Sequence, residues 1–313
     1  MNALGSQGVP FLFIINFLKD RNLCLSLNET DPQMICYDLA GRSNVESISA
    51  SKPFQFEAFP VSYKEYLQRF EKVMQHIRFG NTYLINITVP TPIRTSLSTR
   101  DIFMRSRAPY RLWVKDSFTV FSPEIFVKVK KGRIYSYPMK GTLDASVENA
   151  IEILLNDPKE KAEHFTIVDL IRNDLSQVSS QVRVRRFMYP ELITTHKGEL
   201  IQTSSEIEGI LPPHWKQNLG DWFLQLLPAG SISGAPKRKT LEILLETEGY
   251  ERGFYTGVFG IFDGENLESA VMIRFIEETR QGLVFKSGGG ITFRSDPRQE
   301  YQELIQKVYV PFA

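Results

Sequence analysis

The stretch "SFTVFSPEIFVKVKKGRIYSYPMKGT" (117–142) constrains the fold more than any other part of the chain. It reads as strand, turn, strand, and Lys131-Gly132 supplies a tight turn. Strands joined by so short a turn run antiparallel, because a parallel pair needs a crossover of a dozen residues or more. The last third repeats the theme. A helix "PKRKTLEILLETEG" leads to the strands "YTGVFGIFDGENLESAVMIRFIEE" and "GLVFKSGGGITF", and a final helix opens at "SDPRQEYQELIQKV". Two more helices are signalled by spacing. One is "SYKEYLQRFEKVMQHIRFG", with Tyr66, Phe70, Val73 and Ile77 on one face and a stop at Gly80. The other is "NDPKEKAEHFTIVDLIRNDL", with Asp157 as N-cap, Pro158 at the first helical position, and Phe165, Val168, Ile171 and Leu175 as its apolar stripe. Mixed strands with segregated helices predict an α+β fold rather than a doubly wound one.

"VPFLFIINFL" (9–18) reads as a buried first strand. It is too short to span a bilayer, is interrupted by Asn16, and lacks the charged flank of a signal peptide. "QMICYDLAG" reads as a second strand that ends in a glycine turn. No repeat or linker divides the 313 residues, so the expectation is a single domain over 1–313.

Lys plus Arg is 37 against 36 for Asp plus Glu, which gives no electrostatic reason to expect a nucleic acid partner. The basic runs Lys128–Lys131 and Arg183–Arg186 alternate with valines and read as solvated strand faces. Cys24 and Cys36 form no CxxC or Cys/His cluster, so neither zinc nor a disulfide framework is expected. A reducing cytoplasm is the simplest compartment.

Two helices begin alike: Asp157-Pro158 leads to Glu160 and Glu163, and Asp296-Pro297 leads to Glu300 and Glu303. A spacing of three puts both carboxylates of a pair on one face. The helix macrodipole explains either pair alone, whereas both pairs together would suit a hard cation such as Mg²⁺. Gly288, Gly289 and Gly290 let a ligand approach the backbone and fit a small carboxylate, or else mark a structural bend. The Walker and dinucleotide spacings are both missing. Glu124 precedes Lys140 by one strand–turn–strand excursion and could act as an acid. From "YSYPMKGTLDAS" alone, Lys140 reads as a surface charge in a turn. The four histidines have no metal spacing, and His164 suits local packing or hydrogen bonding.

Seven stretches, in order along the chain, together resemble the chorismate-utilising enzymes: "SPEIF", "PMKGT", "KEKAEHFTIVDLIRNDL", "PAGSISGAPK", "YTGVFG", "VMIR" and "GGGITFRSDPRQEYQELIQK". That family includes the component I chains of anthranilate and aminodeoxychorismate synthase and the isochorismate and salicylate synthases. The resemblance implies a β-sandwich-like core of mixed and antiparallel sheets with surrounding helices, and a Mg²⁺ site. Residues 1–60 would be shortened N-terminal strands and 61–313 the family core. Glu163 and Glu303 would ligate Mg²⁺, with Glu160 and Glu300 close by. Gly288, Gly289 and Gly290 would receive a chorismate carboxylate, Tyr255 and Arg274 would hold the enolpyruvyl carboxylate, and Lys307 and Thr142 would line the pocket. Glu124 would be the general acid.

Lys140 separates the family members. Anthranilate synthases usually carry Ala there, whereas aminodeoxychorismate synthases carry Lys, thought to add to C2 of chorismate before ammonia attacks C4. The resemblance thus implies 4-amino-4-deoxychorismate as product, for p-aminobenzoate and folate synthesis. Ammonia would come from a separate glutamine amidotransferase subunit. Two positions depart from the family: Leu84 stands where the water-activating members have Lys, and Gln202 where anthranilate synthases have His. Anthranilate synthase component I and a silent chorismate-binding homologue are the alternatives.

Overall fold

The computed structural model describes residues 1–46, 53–195 and 198–312, so His196 lies outside it. The chain forms two compact units. One comprises Met1–Phe11, Ile125–Ser231 and Ile261–Ser269, and the other Leu12–Glu124, Ile232–Gly260 and Ala270–Ala313.

In the first unit the predicted hairpin forms as expected. Ile125–Lys130 and Arg133–Ser136 pair antiparallel around Lys131 (φ 52°) and Gly132 (φ 73°), the left-handed pair that a two-residue hairpin favours. Gly198–Ile210 then carries Arg133–Ser136 and Met139–Asp144 along one edge and Ser180–Thr195 along the other. The run Arg183–Arg186 is more than a solvated face. Glu208 is buried, and Arg183 (2.7 Å), Arg133 (3.5 Å) and Arg185 (3.7 Å) converge on its carboxylate. A carboxylate taken out of water requires such partners. Above this sheet lies the helix Pro158–Ser176, whose first turn is capped where Asp157 accepts the Glu160 N–H at 2.9 Å. Its buried stripe is His164, Ile167, Val168, Ile171 and Leu175. Phe165 departs from the expected stripe: it lies about 100° around the helix from His164 and is 58% exposed, packed on Phe187 at 4.6 Å.

The second unit holds a sheet ordered Gly234–Ala235, Leu84–Thr95, Gly282–Thr292, Phe275–Thr279, Phe118–Ser122, Tyr110–Val114, Ile35–Leu39 and Arg42–Ser43, with Phe56–Ala58 also paired to Leu84–Thr95. The predicted helix Tyr63–Arg78 begins at a capping box in which Ser62 and Glu65 satisfy each other's backbone N–H groups. Its Tyr66, Phe70, Val73, Met74 and Ile77 meet Ile85, Ile87, Val89 and Ile291 of the sheet, Ile243 and Leu244 of helix Lys237–Glu248, and Leu304 of helix Pro297–Gln306. The expected first strand is Phe11–Ile15, with all five side chains buried. No helix among the described residues is long and apolar enough to cross a membrane.

The second unit also buries a charge pair. Arg252 donates to Glu248 from Nε (2.8 Å) and Nη2 (2.7 Å), and to the Asn86 carbonyl at 2.6 Å, while Glu248 accepts the Thr88 N–H at 2.8 Å. Removing one member leaves the other charge buried without its counter-charge. Arg252→Ala is therefore expected to cost about 3–5 kcal/mol in urea unfolding. A loss below about 1 kcal/mol, the range of an exposed pair, would show that the pair contributes no more than a surface contact.

Candidate active site

Lys140, Thr142, Glu160 and Glu163 belong to the first unit. Met139 and Lys140 stand opposite Ser204 and Thr203, and Thr142 stands opposite Gln202, so a bulge leaves Gly141 between two regular pairs. Gly141 has φ +72°, and a Cβ there would lie 2.8 Å from Glu160 Oε2 and 3.0 Å from Leu154 Cδ1. Any other residue would be strained by this backbone and would have to push the Glu160 carboxylate aside. The bulge therefore sets the chain beside Lys140 against the first carboxylate of the acidic helix. Glu163 is half-buried one turn later, and Thr142 is exposed. Gly141→Ala is expected to cost about 1–2 kcal/mol from the backbone alone and to lower turnover by displacing Glu160. Melting and kcat measurements both unchanged would refute the close approach.

The remaining candidates belong to the second unit. Gly282–Thr292 pairs with Phe275–Thr279 only as far as Lys286, whereas its pairing with Leu84–Thr95 continues through Gly288, Gly289 and Gly290. Val284 and Lys286 face Pro92 and Pro90, which have no N–H to donate. The alternation of the ladder therefore turns the Gly288 and Gly290 backbone toward the edge beyond Phe275. Lys307 confirms this for Gly288, whose carbonyl accepts its Nζ at 3.0 Å. Lys307 also pairs with the exposed Glu303 at 2.5 Å. The Glu300 carboxylate lies 3.5 Å from the point a Gly289 Cβ would occupy. Leu84 Cδ1 lies 3.5 Å from the point a Gly290 Cβ would occupy, so an apolar group borders that end of the glycine run.

Tyr255 is buried, and burial pushes its hydroxyl well above the ordinary tyrosine range although the Arg252 and Arg274 charges oppose the shift. Arg274 has φ +53°, stacks over Tyr309 at 5.4 Å, and has a buried Nε with no hydrogen-bond partner among the described residues. A buried guanidinium N–H without an acceptor is a donor available to a ligand carboxylate. Glu124 is half-buried just before Ile125–Lys130; its N–H donates to Ser122 Oγ and its carbonyl accepts the Val271 N–H. Sequence reasoning missed Lys286. It is 2% exposed, pairs with Glu277 at 2.9 Å, and donates to the Glu251 and Arg252 carbonyls, tying down the turn that leads to Tyr255. Burial holds its amine below the ordinary lysine range. A charged residue inside the otherwise apolar "GLVF" strand was the available signal.

The donors suited to Mg²⁺ are the carboxylates of Glu160 and Glu163 near the start of one helix and of Glu300 and Glu303 on the other. Among the described residues no three Asp, Glu, His or Cys side chains gather as a metal site. Either pair supplies the one or two carboxylates that Mg²⁺ takes, leaving its other positions to water and substrate. In that sense the residues fit the ion.

Residues 19–312 match the chorismate binding enzyme family. A Haemophilus influenzae protein described as an uncharacterized PabA-like protein is 46% identical over 99% of this chain and 94% of its own length. The Bacillus subtilis aminodeoxychorismate synthase component 1 is 31% identical over 80% of this chain and 56% of its own. The Aeropyrum pernix anthranilate synthase component 1 is also 31% identical, over 86% and 63%. Among solved structures, the menaquinone-specific isochorismate synthase of Escherichia coli superposes with a TM-score of 0.69 over 98% of this chain and 89% of its own. At 16% identity that likeness speaks for the fold alone. The α+β architecture, the ordered motifs and a family match over nearly the whole chain make this a member of the chorismate binding enzyme family.

Proposed function

We propose that the chain aminates chorismate at C4, giving 4-amino-4-deoxychorismate for p-aminobenzoate synthesis. The observation that carries this reading is Lys140, held in a bulged strand whose next residue, Gly141, packs against Glu160. The neutral Lys140 amine adds to C2, both ring double bonds shift (C1=C2 to C1=C6 and C5=C6 to C4=C5), and the 4-hydroxyl leaves C4 as water with a proton from Glu124. Ammonia then bonds to C4, both double bonds return to C5=C6 and C1=C2, and the C2–N bond to Lys140 breaks. Chorismate and ammonia thus become aminodeoxychorismate and water, and Lys140 is regenerated. Arg274 and Tyr255 hold the enolpyruvyl carboxylate, and the Gly288 and Gly290 amides with Lys307 receive the ring carboxylate. Bound Mg²⁺ would neutralise carboxylate charge next to Glu163 and Glu303. Leu84 offers no base to activate water, which favours amination over hydration. Ammonia is supplied by a glutamine amidotransferase chain, and the reaction belongs to the cytoplasm.

The relatives named for anthranilate and for aminodeoxychorismate synthesis are equally similar, so the product decides between them. Incubation with chorismate, Mg²⁺ and ammonium should yield aminodeoxychorismate by mass spectrometry. Anthranilate with pyruvate would overturn the proposal. No turnover with any amidotransferase would favour a silent homologue.

A further inference from the structure

The proposed reaction requires the helix bearing Glu160 and Glu163 to keep a fixed place against the strand bearing Lys140. One serine ties the two together. Ser205 is wholly buried in the strand Gly198–Ile210. Its Oγ is hydrogen-bonded to His164 Nε2 at 2.6 Å and accepts the Met188 N–H at 2.8 Å, while its own N–H donates to the Pro138 carbonyl at 3.0 Å. His164 directly follows Glu163, and Pro138 lies two residues before Lys140. The next pairs along the same ladder are Met139 with Ser204 and Lys140 with Thr203. Ser205 thus joins three elements at the level of both candidate groups.

His164 occupies the centre of the helix's buried stripe, with no exposed surface, where an aliphatic side chain would fill the space without a polar demand. Apolar packing is non-directional and lets a helix rotate or slide by fractions of an ångström. A buried hydrogen bond fixes distance and angle and is costly to leave unmade. The ring also meets Phe187 edge-on at 5.5 Å, which limits its rotation.

Resting on the reading of the site given above, we infer that His164 and Ser205 are a positioning pair that holds the Glu163 carboxylate in register with Lys140. Neither touches substrate. Residues that orient a metal-binding carboxylate from behind typically change metal affinity or activity by about 10- to 100-fold when removed.

The test compares His164→Phe and Ser205→Ala with the hydrogen-bonding variants His164→Gln and Ser205→Thr in the full chain. Mn²⁺ stands in for Mg²⁺, its bound fraction is read by electron paramagnetic resonance, and kcat and melting temperature are measured beside it. Ser205→Ala and His164→Phe should weaken Mn²⁺ binding and lower kcat, each by about 10-fold or more, while Ser205→Thr and His164→Gln recover most of both. Unchanged Mn²⁺ affinity in Ser205→Ala would overturn the inference. Equal losses in Ser205→Ala and Ser205→Thr would overturn it too, as would a wild-type chain that binds no Mn²⁺. If His164→Phe does not fold, the Ser205 pair decides alone. A wild-type product other than aminodeoxychorismate would remove the proposed reaction, yet the Mn²⁺ comparison would still decide whether this pair positions Glu163.

Discussion

Lys140→Ala should lose aminodeoxychorismate formation by on the order of a thousandfold or more, because a covalent nucleophile has no substitute in the same site. At an ordinary lysine pKa near 10.4, only about one amine in 2,500 is neutral at pH 7. The proposed attack needs the neutral amine, a form that desolvation or a neighbouring positive charge would favour. Lys140→Arg should fail equally, since a guanidinium stays protonated and cannot attack. Chorismate should still bind both variants, because the proposed carboxylate holders Arg274, Tyr255 and the glycine strand are intact. Wild-type rates in Lys140→Ala would remove the nucleophile role while leaving the family assignment untouched.

Glu303→Gln is the second large effect expected. The substitution keeps the side-chain shape, removes one of the two carboxylates of the Pro297–Gln306 helix, and deletes the 2.5 Å ion pair with Lys307. Lys307 would keep its contact to the Gly288 carbonyl, so the glycine strand should stay in place. The Mg²⁺ concentration for half-maximal rate should rise by about 10- to 100-fold, in the range seen when a metal's supporting groups are removed. Glu242→Gln is a fitting control. Glu242 is an exposed glutamate paired with Lys239 on another helix, and its loss should leave the Mg²⁺ titration unchanged. An unchanged titration in Glu303→Gln would refute its place at the metal.

Local signals carried most of the fold. The Lys131-Gly132 hairpin, the Asp157 cap and the glycine stop after Arg78 each depend on a few adjacent residues, and each formed where the pattern placed it. Long-range burial was not legible. Arg252 reaches the Asn86 carbonyl 166 residues away, and nothing near Arg252 in sequence announces that it is buried. Glu208 draws its arginines from two different strands, so a run that alternates like a solvated face also serves a buried carboxylate. Of the strand Ser180–Thr195 only the run Arg183–Arg186 read as a strand face, because three register shifts break the period-two pattern between Ser180 and Tyr189. In the site, the glycine run and the paired glutamates were visible as types. That Gly141 is the glycine pressed against Glu160 needed the bulge, which no spacing rule reveals.

The most direct test of the central claim is intact-protein mass spectrometry after exposure to chorismate and Mg²⁺ without ammonia. The proposed chemistry predicts an adduct equal to chorismate less one water, mapping to the Lys140 peptide and absent from Lys140→Ala. Added ammonium should discharge it as aminodeoxychorismate. An unmodified chain that still converts chorismate to anthranilate and pyruvate once ammonium is supplied would contradict it.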